Sequence, residues 1–252
     1  MTEYDNFAWL YYRHWAGYSY TVRPVLSRVL LSALARGGHI IDLCCGTGQT
    51  AGYLVSQGFA VTGIDNSPNM LAYAKREAPG AQLLLQDART FACDHPASAV
   101  ISLFDSLNHM LTADDLMAVF SRVFATLEPG GKFFFDVNTL QKYQAQWART
   151  DAMIHPDHVA MFHSEFDLRS RLATFNATIF ILHDRQWIRS DVVLQQRAYK
   201  LSMVAQLLRE TGFSAIQIMK GVSLSTDPQF SGRAFFLATK PTNPFNATLR
   251  VL

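Results

Sequence analysis

An apolar strand that runs into a carboxylate and then a tight glycine turn constrains this chain more than any other feature: Ile40-Ile41-Asp42-Leu43-Cys44-Cys45-Gly46-Thr47-Gly48-Gln49-Thr50. The β-branched pair favours extended backbone, and the glycines permit a turn that no other residue makes as cheaply. A strand, a glycine turn and a following helix together form a nucleotide-type cofactor loop. The acid before the glycines sets the charge of the ligand. A carboxylate there repels a pyrophosphate but suits a cofactor that carries an ammonium group and a sulfonium.

That charge preference points to S-adenosylmethionine rather than a dinucleotide. On the loop alone the dinucleotide reading stays open. Gly46-Thr47-Gly48-Gln49-Thr50-Ala51 also satisfies G-x-G-x-x-A. Asp65 follows Asp42 at roughly the 20-residue distance of a ribose-binding acid.

Around this loop, strands and helices alternate. Strands are expected at residues 39–43, 59–64, 82–86, 99–104 and 132–137. Helices are expected at 22–34, 50–57, 67–78 and from Thr112 to about 127, with Ser67-Pro68 and Thr112 supplying N-terminal caps. Alternation of this kind implies right-handed crossovers and a parallel sheet. The rhythm changes after Val137. Residues 158–166, 171–183 and 186–199 read as three longer strands, rich in Phe, Thr, Ile and Val, forming an antiparallel insertion. A last helix at 202–211 and strands at 213–219 and 233–239 complete the pattern, and the tail from Pro241 is expected to be loose.

At 252 residues with 49% apolar and 17% charged side chains, the chain can bury a large core. Its net charge of +2, without a Lys/Arg run, argues against a nucleic-acid partner. No apolar run reaches the ~18 residues of a membrane span, and Met1-Thr2-Glu3-Tyr4-Asp5 lacks the basic start of a signal peptide. Three cysteines, two of them adjacent, suit neither a disulfide framework nor a metal site. A cytoplasmic protein, monomeric or homodimeric, is expected.

Four short motifs in order resemble those of the class I S-adenosylmethionine-dependent methyltransferases, of the small-molecule type. They are Asp42-Leu43-Cys44-Cys45-Gly46-Thr47-Gly48, Gly63-Ile64-Asp65-Asn66-Ser67-Pro68-Asn69-Met70-Leu71, Gln86-Asp87-Ala88-Arg89 and Leu127-Glu128-Pro129-Gly130-Gly131-Lys132-Phe133. The resemblance implies an α/β fold: a doubly wound, mostly parallel, Rossmann-like seven-stranded sheet with the antiparallel insertion after strand 5. It divides the chain into an N-terminal helical cap (1–36), a cofactor-binding core (37–140), an antiparallel lid (150–200) and a final helix with strands completing the sheet (201–240). The family often has Gly where Cys44 stands, so the φ of Cys44 is expected in ordinary space and the turn slightly altered.

The same resemblance implies site roles. Asp65 accepts the ribose hydroxyls, Asp87 the adenine amino group, and the Ala88 backbone, beside Arg89, reads the ring edge. Gly46, Thr47 and Gly48 let the backbone approach; Cys44, Asn66 and Met70 flank the adenosine; Asp42 faces the methionine end, with Phe104, Asp105 and Ser106 beyond strand 4. In related enzymes an aromatic N-terminal segment closes over the cofactor, so Tyr12 is expected near the sulfonium, as a cofactor-binding and catalytic residue, and Arg13 at the methionine carboxylate. S-adenosylhomocysteine is the implied product.

Methyl transfer is an in-line displacement at an activated carbon, so the protein need only align a nucleophile and take a proton. His109, in Asp105-Ser106-Leu107-Asn108-His109, has the pKa range for that task and is the expected catalytic base or orienting group. The loop lacks the Asn/Asp-Pro-Pro-Tyr/Phe pattern of base-nitrogen methylation. A small-molecule acceptor, through N or O, is therefore expected. Open alternatives are a cofactor-binding protein without transfer, a nicotinamide oxidoreductase, and methylation of a peptide or tRNA. The lid aromatics Phe162, Phe166, Phe175, Phe180 and Trp187 are expected in its core. His155, His158 and His163 lack a metal-ligand spacing, and no metal is expected.

Overall fold

The computed structural model describes residues 2–242. Its core is a seven-stranded sheet built from β1 (His39–Leu43), β2 (Ala60–Asp65), β3 (Gln82–Leu85), β4 (Ala97–Ser102), β5 (Leu127–Asn138), β10 (Ser214–Lys220) and β11 (Arg233–Thr239). The order is β10-β11-β5-β4-β1-β2-β3. All neighbours pair in parallel except β11, which runs antiparallel to both β5 and β10. The strand order reverses between β1 and β4, so the carboxyl ends of these two strands flank the crevice where open α/β sheets bind ligands.

Both faces of the sheet are covered. On one side α5 (Ala113–Thr126) and α7 (Leu201–Thr211) pack Leu116, Val119, Phe120, Val123, Val204 and Leu208 against Phe133 and Phe135. On the other, α2 (Tyr18–Val29) and α3 (Gln49–Ser56) set Val22, Leu26 and Leu54 against Ile40, Ala99, Ile101 and Phe134. The expected helix at 22–34 begins earlier, at Tyr18, and gives way after Val29 to a 3₁₀ turn, Leu31–Ala33. The helix α4 (Pro68–Glu77) starts as expected, with the Ser67 hydroxyl accepting from the Met70 N–H.

The insertion is a meander of four antiparallel strands, β6 (Arg149–His155), β7 (His158–Asp167), β8 (Leu172–His183) and β9 (Gln186–Arg197). The sequence shows only three of them. β6 is almost wholly exposed and has no alternation of apolar and polar residues to reveal it. The lid's inner face (Ala160, Phe162, Ala177, Ile179, Val192, Leu194) packs on Phe7 and Leu10 around α1 (Ala8–His14). The short α6 (Leu140–Gln146), also unforeseen, leads into it. Phe162 is buried as expected and Phe175 packs with it, whereas Trp187 is about half exposed, at 49%. The tail expected to be loose lies, beyond Thr242, outside the described residues.

Candidate active site

The sheet's carboxyl ends, the N-terminal segment and the lid enclose a cleft of about 1460 Å³. That exceeds the volume of a typical single-ligand pocket, so there is room for a nucleoside cofactor and a second molecule. From the first glycine loop, Cys44 and Gly46 line it; Asp65, Asn66 and Met70 come from the end of β2 and the start of α4. Asp87, Ala88 and Arg89 follow β3, and Phe104, Asp105, Ser106 and His109 follow β4. The sequence therefore placed these twelve residues in one cleft.

The glycine turn is shaped by two φ angles and one close approach. Gly46 has φ +53°, and a Cβ there would meet only the Tyr11 ring at 3.9 Å, so its backbone faces open space. Gly48 has φ +86°, and a Cβ there would lie 2.6 Å from Cα of Ala74 in α4. Gly48 thus serves helix packing, and Thr47 is buried with its hydroxyl on Gln49 Oε1 at 2.6 Å. Neither lines the cleft. Cys44 overturns the expectation of an ordinary φ: it sits at +60°, the left-handed region, at a cost of roughly 1–2 kcal/mol.

Asp65 fixes the turn from the next strand. Its carboxylate accepts from the N–H of Gly46 and of Ser67, both at 2.9 Å, while burial raises its pKa. Asp42 lies one layer behind the cleft, and its Oδ2 is a buried atom with no hydrogen-bond partner. Burial, helped by Asp65, pushes its pKa up to about 7; the Ala51 N–H offsets part of this. A buried acid held so close to neutralisation fits a site that takes a positively charged ligand. Asp87 is held below the usual carboxylate range by Arg89, which reaches it through its backbone N–H at 2.8 Å, Nε at 3.0 Å and Nη2 at 2.6 Å. Nη1 of the same guanidinium extends to Asp115.

After β4 the backbone is strained at two consecutive non-glycine residues, Phe104 (φ 61°) and Asp105 (φ 51°). Such strain persists where surrounding structure over-determines it. Here the buried Asp136 on β5 accepts from the N–H of Phe104 at 2.7 Å and of Asp105 at 3.2 Å. Arg233 on β11 pairs with Asp136 at 2.5 Å and Asp105 at 2.6 Å, beneath the rings of Tyr18 and Phe104. Sequence reasoning missed Asp136 and Arg233, which are 97 residues apart.

The Asp105 carboxylate accepts from Gln196 Nε2 of the lid at 2.6 Å. The Gln196 Oε1 accepts from Tyr143 at 2.9 Å, which fixes the amide with its NH₂ toward His109 Nε2, 3.0 Å away. Nε2 of His109 is therefore an acceptor, and the ring proton resides on Nδ1, toward the Gln195 backbone. Tyr4 donates to the same Nε2 at 2.9 Å. Burial lowers the pKa of His109, so the imidazole is neutral near pH 7. Tyr4 itself follows from a segment tied down by Asp5, which accepts from the Ser67 hydroxyl at 2.6 Å.

Two expected site residues are corrected. Tyr12 turns away from the cleft, donates to Glu77 at 2.6 Å and stacks on Tyr73. Arg13 pairs with Asp157 at 2.5 Å on the surface. Tyr4, Tyr11 and Tyr18 line the cleft in their place. His163 stands apart with Thr150 and Glu165, while His14 joins His155 and His158.

Comparison with known proteins agrees with this geometry. Residues 40–131 match the family model of a methyltransferase domain. YqeM of Bacillus subtilis (strain 168), provisionally named a methyltransferase, is 28% identical over 83% of this chain and 87% of its own length. Over 42% of this chain and 45% of its own, the dTDP-3-amino-3,4,6-trideoxy-alpha-D-glucopyranose N,N-dimethyltransferase of Streptomyces venezuelae is 29% identical. In fold, the chain resembles the sugar N-methyltransferase KedS8 of Streptoalloteichus with a TM-score of 0.74 at 18% identity, over 92% of each chain. The glycine turn with its acids, the strand order and these likenesses together make the chain an S-adenosylmethionine-dependent methyltransferase, with a fold similar to that of the class I enzymes and S-adenosylmethionine as methyl donor.

Proposed function

We propose that this methyltransferase acts on a small molecule through a nitrogen or oxygen nucleophile, with His109 orienting the nucleophile and taking its proton. The observation that carries this reading is the state of His109: a neutral imidazole, its Nε2 lone pair turned toward Tyr4 and Gln196 in the cleft between core and lid. Such a nitrogen accepts from a substrate N–H or O–H in place of Tyr4. The cofactor, when bound, supplies an electrophilic methyl carbon whose leaving group is a neutral thioether. Asp65 and Asp87 would hold the ribose and adenine, and Asp42 would balance the positive charge of the methionine end. As the nucleophile forms its bond to carbon, its proton passes to Nε2 of His109. Gln196 and Asp105 keep the ring in place during that transfer.

An acceptor bearing an amine is favoured over a macromolecule. The cleft is walled by the lid, and relatives named for amino sugars resemble this chain in sequence or in fold. Three free thiols fit a reducing, cytoplasmic setting; among the described residues no helix is long and apolar enough to cross a membrane. The test is transfer of isotope-labelled methyl from S-adenosylmethionine to a panel of nucleotide-linked amino sugars, small amines, hydroxylated acids, peptides and tRNA. Label in a small amine or alcohol, lost in His109→Ala, is expected. Label in peptide or tRNA alone would overturn the reading.

A further inference from the structure

Three histidines meet where α1 touches the lid, away from the glycine turn. His155 and His158 are directly opposed residues of the β6–β7 hairpin, separated by the turn at Pro156-Asp157. Opposed residues of an antiparallel pair point to the same face with Cβ atoms about 5 Å apart. Their rings lie with centroids 4.4 Å apart. The last turn of α1 brings His14 onto that face, with Nε2 of His14 2.9 Å from Nε2 of His158. One ligand atom from each of the three lies within 4.8 Å of the others.

The surroundings are those of a metal ligand set rather than of a packed aromatic cluster. His158 is fully buried, and its Nδ1 is 2.7 Å from the Asp157 carboxylate. That contact places a proton on Nδ1 and leaves the Nε2 lone pair aimed at His14, the arrangement by which a carboxylate orients a metal-bound histidine. Trp9 packs edge-on over the same ring at 5.0 Å and shields it from water. His14 is half-buried and His155 exposed, with the His155 ring stacked on that of His158. Two imidazoles bound to one tetrahedral ion, with metal–nitrogen distances of about 2.0–2.1 Å, have nitrogens about 3.3 Å apart. The His14–His158 pair needs only a few tenths of an ångström more than it has. In the metal-free protein a single hydrogen bond joins these two nitrogens, and a cation takes the place of its proton.

We infer that His14, His155 and His158 bind one late first-row divalent cation, of the zinc or nickel type, with Asp157 as orienting partner, and that the ion staples α1 to the lid. Imidazole nitrogen is a preferred donor for these ions, whereas magnesium and calcium require oxygen. A fourth position is left for water. Because α1 follows Tyr4 and carries Tyr11, the staple would fix the segment that roofs the cleft. The inference stands independently of the methyl acceptor.

The test uses untagged, chelator-treated full-length protein titrated calorimetrically with Zn²⁺ and Ni²⁺. Near-unit stoichiometry is expected, with affinity weakened at least tenfold in His155→Ala and about 10–100-fold in Asp157→Asn. The His163→Ala variant, whose histidine lies outside the cluster, is expected to bind like the parent. His155 is exposed, so its removal leaves the core intact even where His158→Ala fails to fold. Hydrogen exchange at residues 8–14 is expected to slow when the ion binds. Parent-like affinity in His155→Ala, stoichiometry well below one, or equal loss in His163→Ala would overturn the site. Unchanged exchange in α1 would overturn the staple.

Discussion

Tyr4, at the start of the chain, and His109, after β4, meet across the cleft with the phenol donating to Nε2 at 2.9 Å. The phenol occupies the acceptor that a substrate proton would need. His109→Ala is expected to lower kcat by about 10²–10⁴ with little change in cofactor affinity. Tyr4→Phe removes one of the two donors to that nitrogen and leaves Gln196 in place, so it is expected to cost less than about tenfold. Steady-state kinetics paired with calorimetric binding separate the two.

Acid sensitivity should carry the mark of the same histidine. Its folded pKa is lowered by burial, so the unfolded chain binds the extra proton first. Its share of stability is present above the unfolded value of about 6.5 and falls away as pH drops below it. The acidic limb of kcat should correspondingly lie below about 6.5. A limb well above that value would exclude His109 as the group responsible.

Asp42 predicts an opposite trend. Its pKa is raised to about 7, so the folded protein retains a proton that the unfolded chain has already released. Stability from this group is present below about pH 4 and is lost as pH rises toward 7. Asp42→Asn should therefore stabilise the ligand-free protein at pH 8 by on the order of a few kcal/mol, seen as a higher melting temperature. The same change should weaken S-adenosylmethionine at least tenfold. Thermal melts with and without cofactor check both halves, and a variant that binds normally would remove Asp42 from the site.

Arg233 balances two carboxylates, and the buried Asp136 has its pKa raised by that burial. Arg233→Met should cost about 3–5 kcal/mol in urea denaturation, since it leaves buried charge uncompensated. Asp136→Asn in that background should recover part of the loss.

Tyr12 and Arg13 face away from the cleft, so Tyr12→Phe and Arg13→Ala should each change cofactor affinity by less than about threefold, within the range of exposed contacts. Tyr11→Ala, which removes a ring beside Gly46, should weaken it more. Equal losses would show that the N-terminal helix sits in another rotation when ligand binds.

The contrast between Tyr11 and Tyr12 shows where sequence reading stopped. Neighbours on a helix differ by about 100° around its axis, so a dense aromatic run announces a roof without saying which rings face in. The four motifs were legible because each joins a strand end to its own loop, within a few residues. Asp136 and Arg233 were invisible for the reverse reason: each is an ordinary charged residue until the β5–β11 pairing brings it beneath Phe104 and Asp105. The φ of Cys44 was misjudged because a small side chain tolerates strain that the Asp65 contact to Gly46 helps to impose. β6 was missed because its partner, not its composition, makes it a strand.

Arg233 enters late in the order of synthesis. Asp136 leaves the ribosome 97 residues before it, Asp105 128 residues before it, and the glycine turn earlier still. Until β11 arrives, the nascent domain carries two acids at its centre with no cation between them, and water must remain there to solvate them. Closure of the sheet and neutralisation of the site are then one event. A chain halted before β11 would leave β5 as an open edge and Asp105 and Asp136 without the guanidinium that pairs with both.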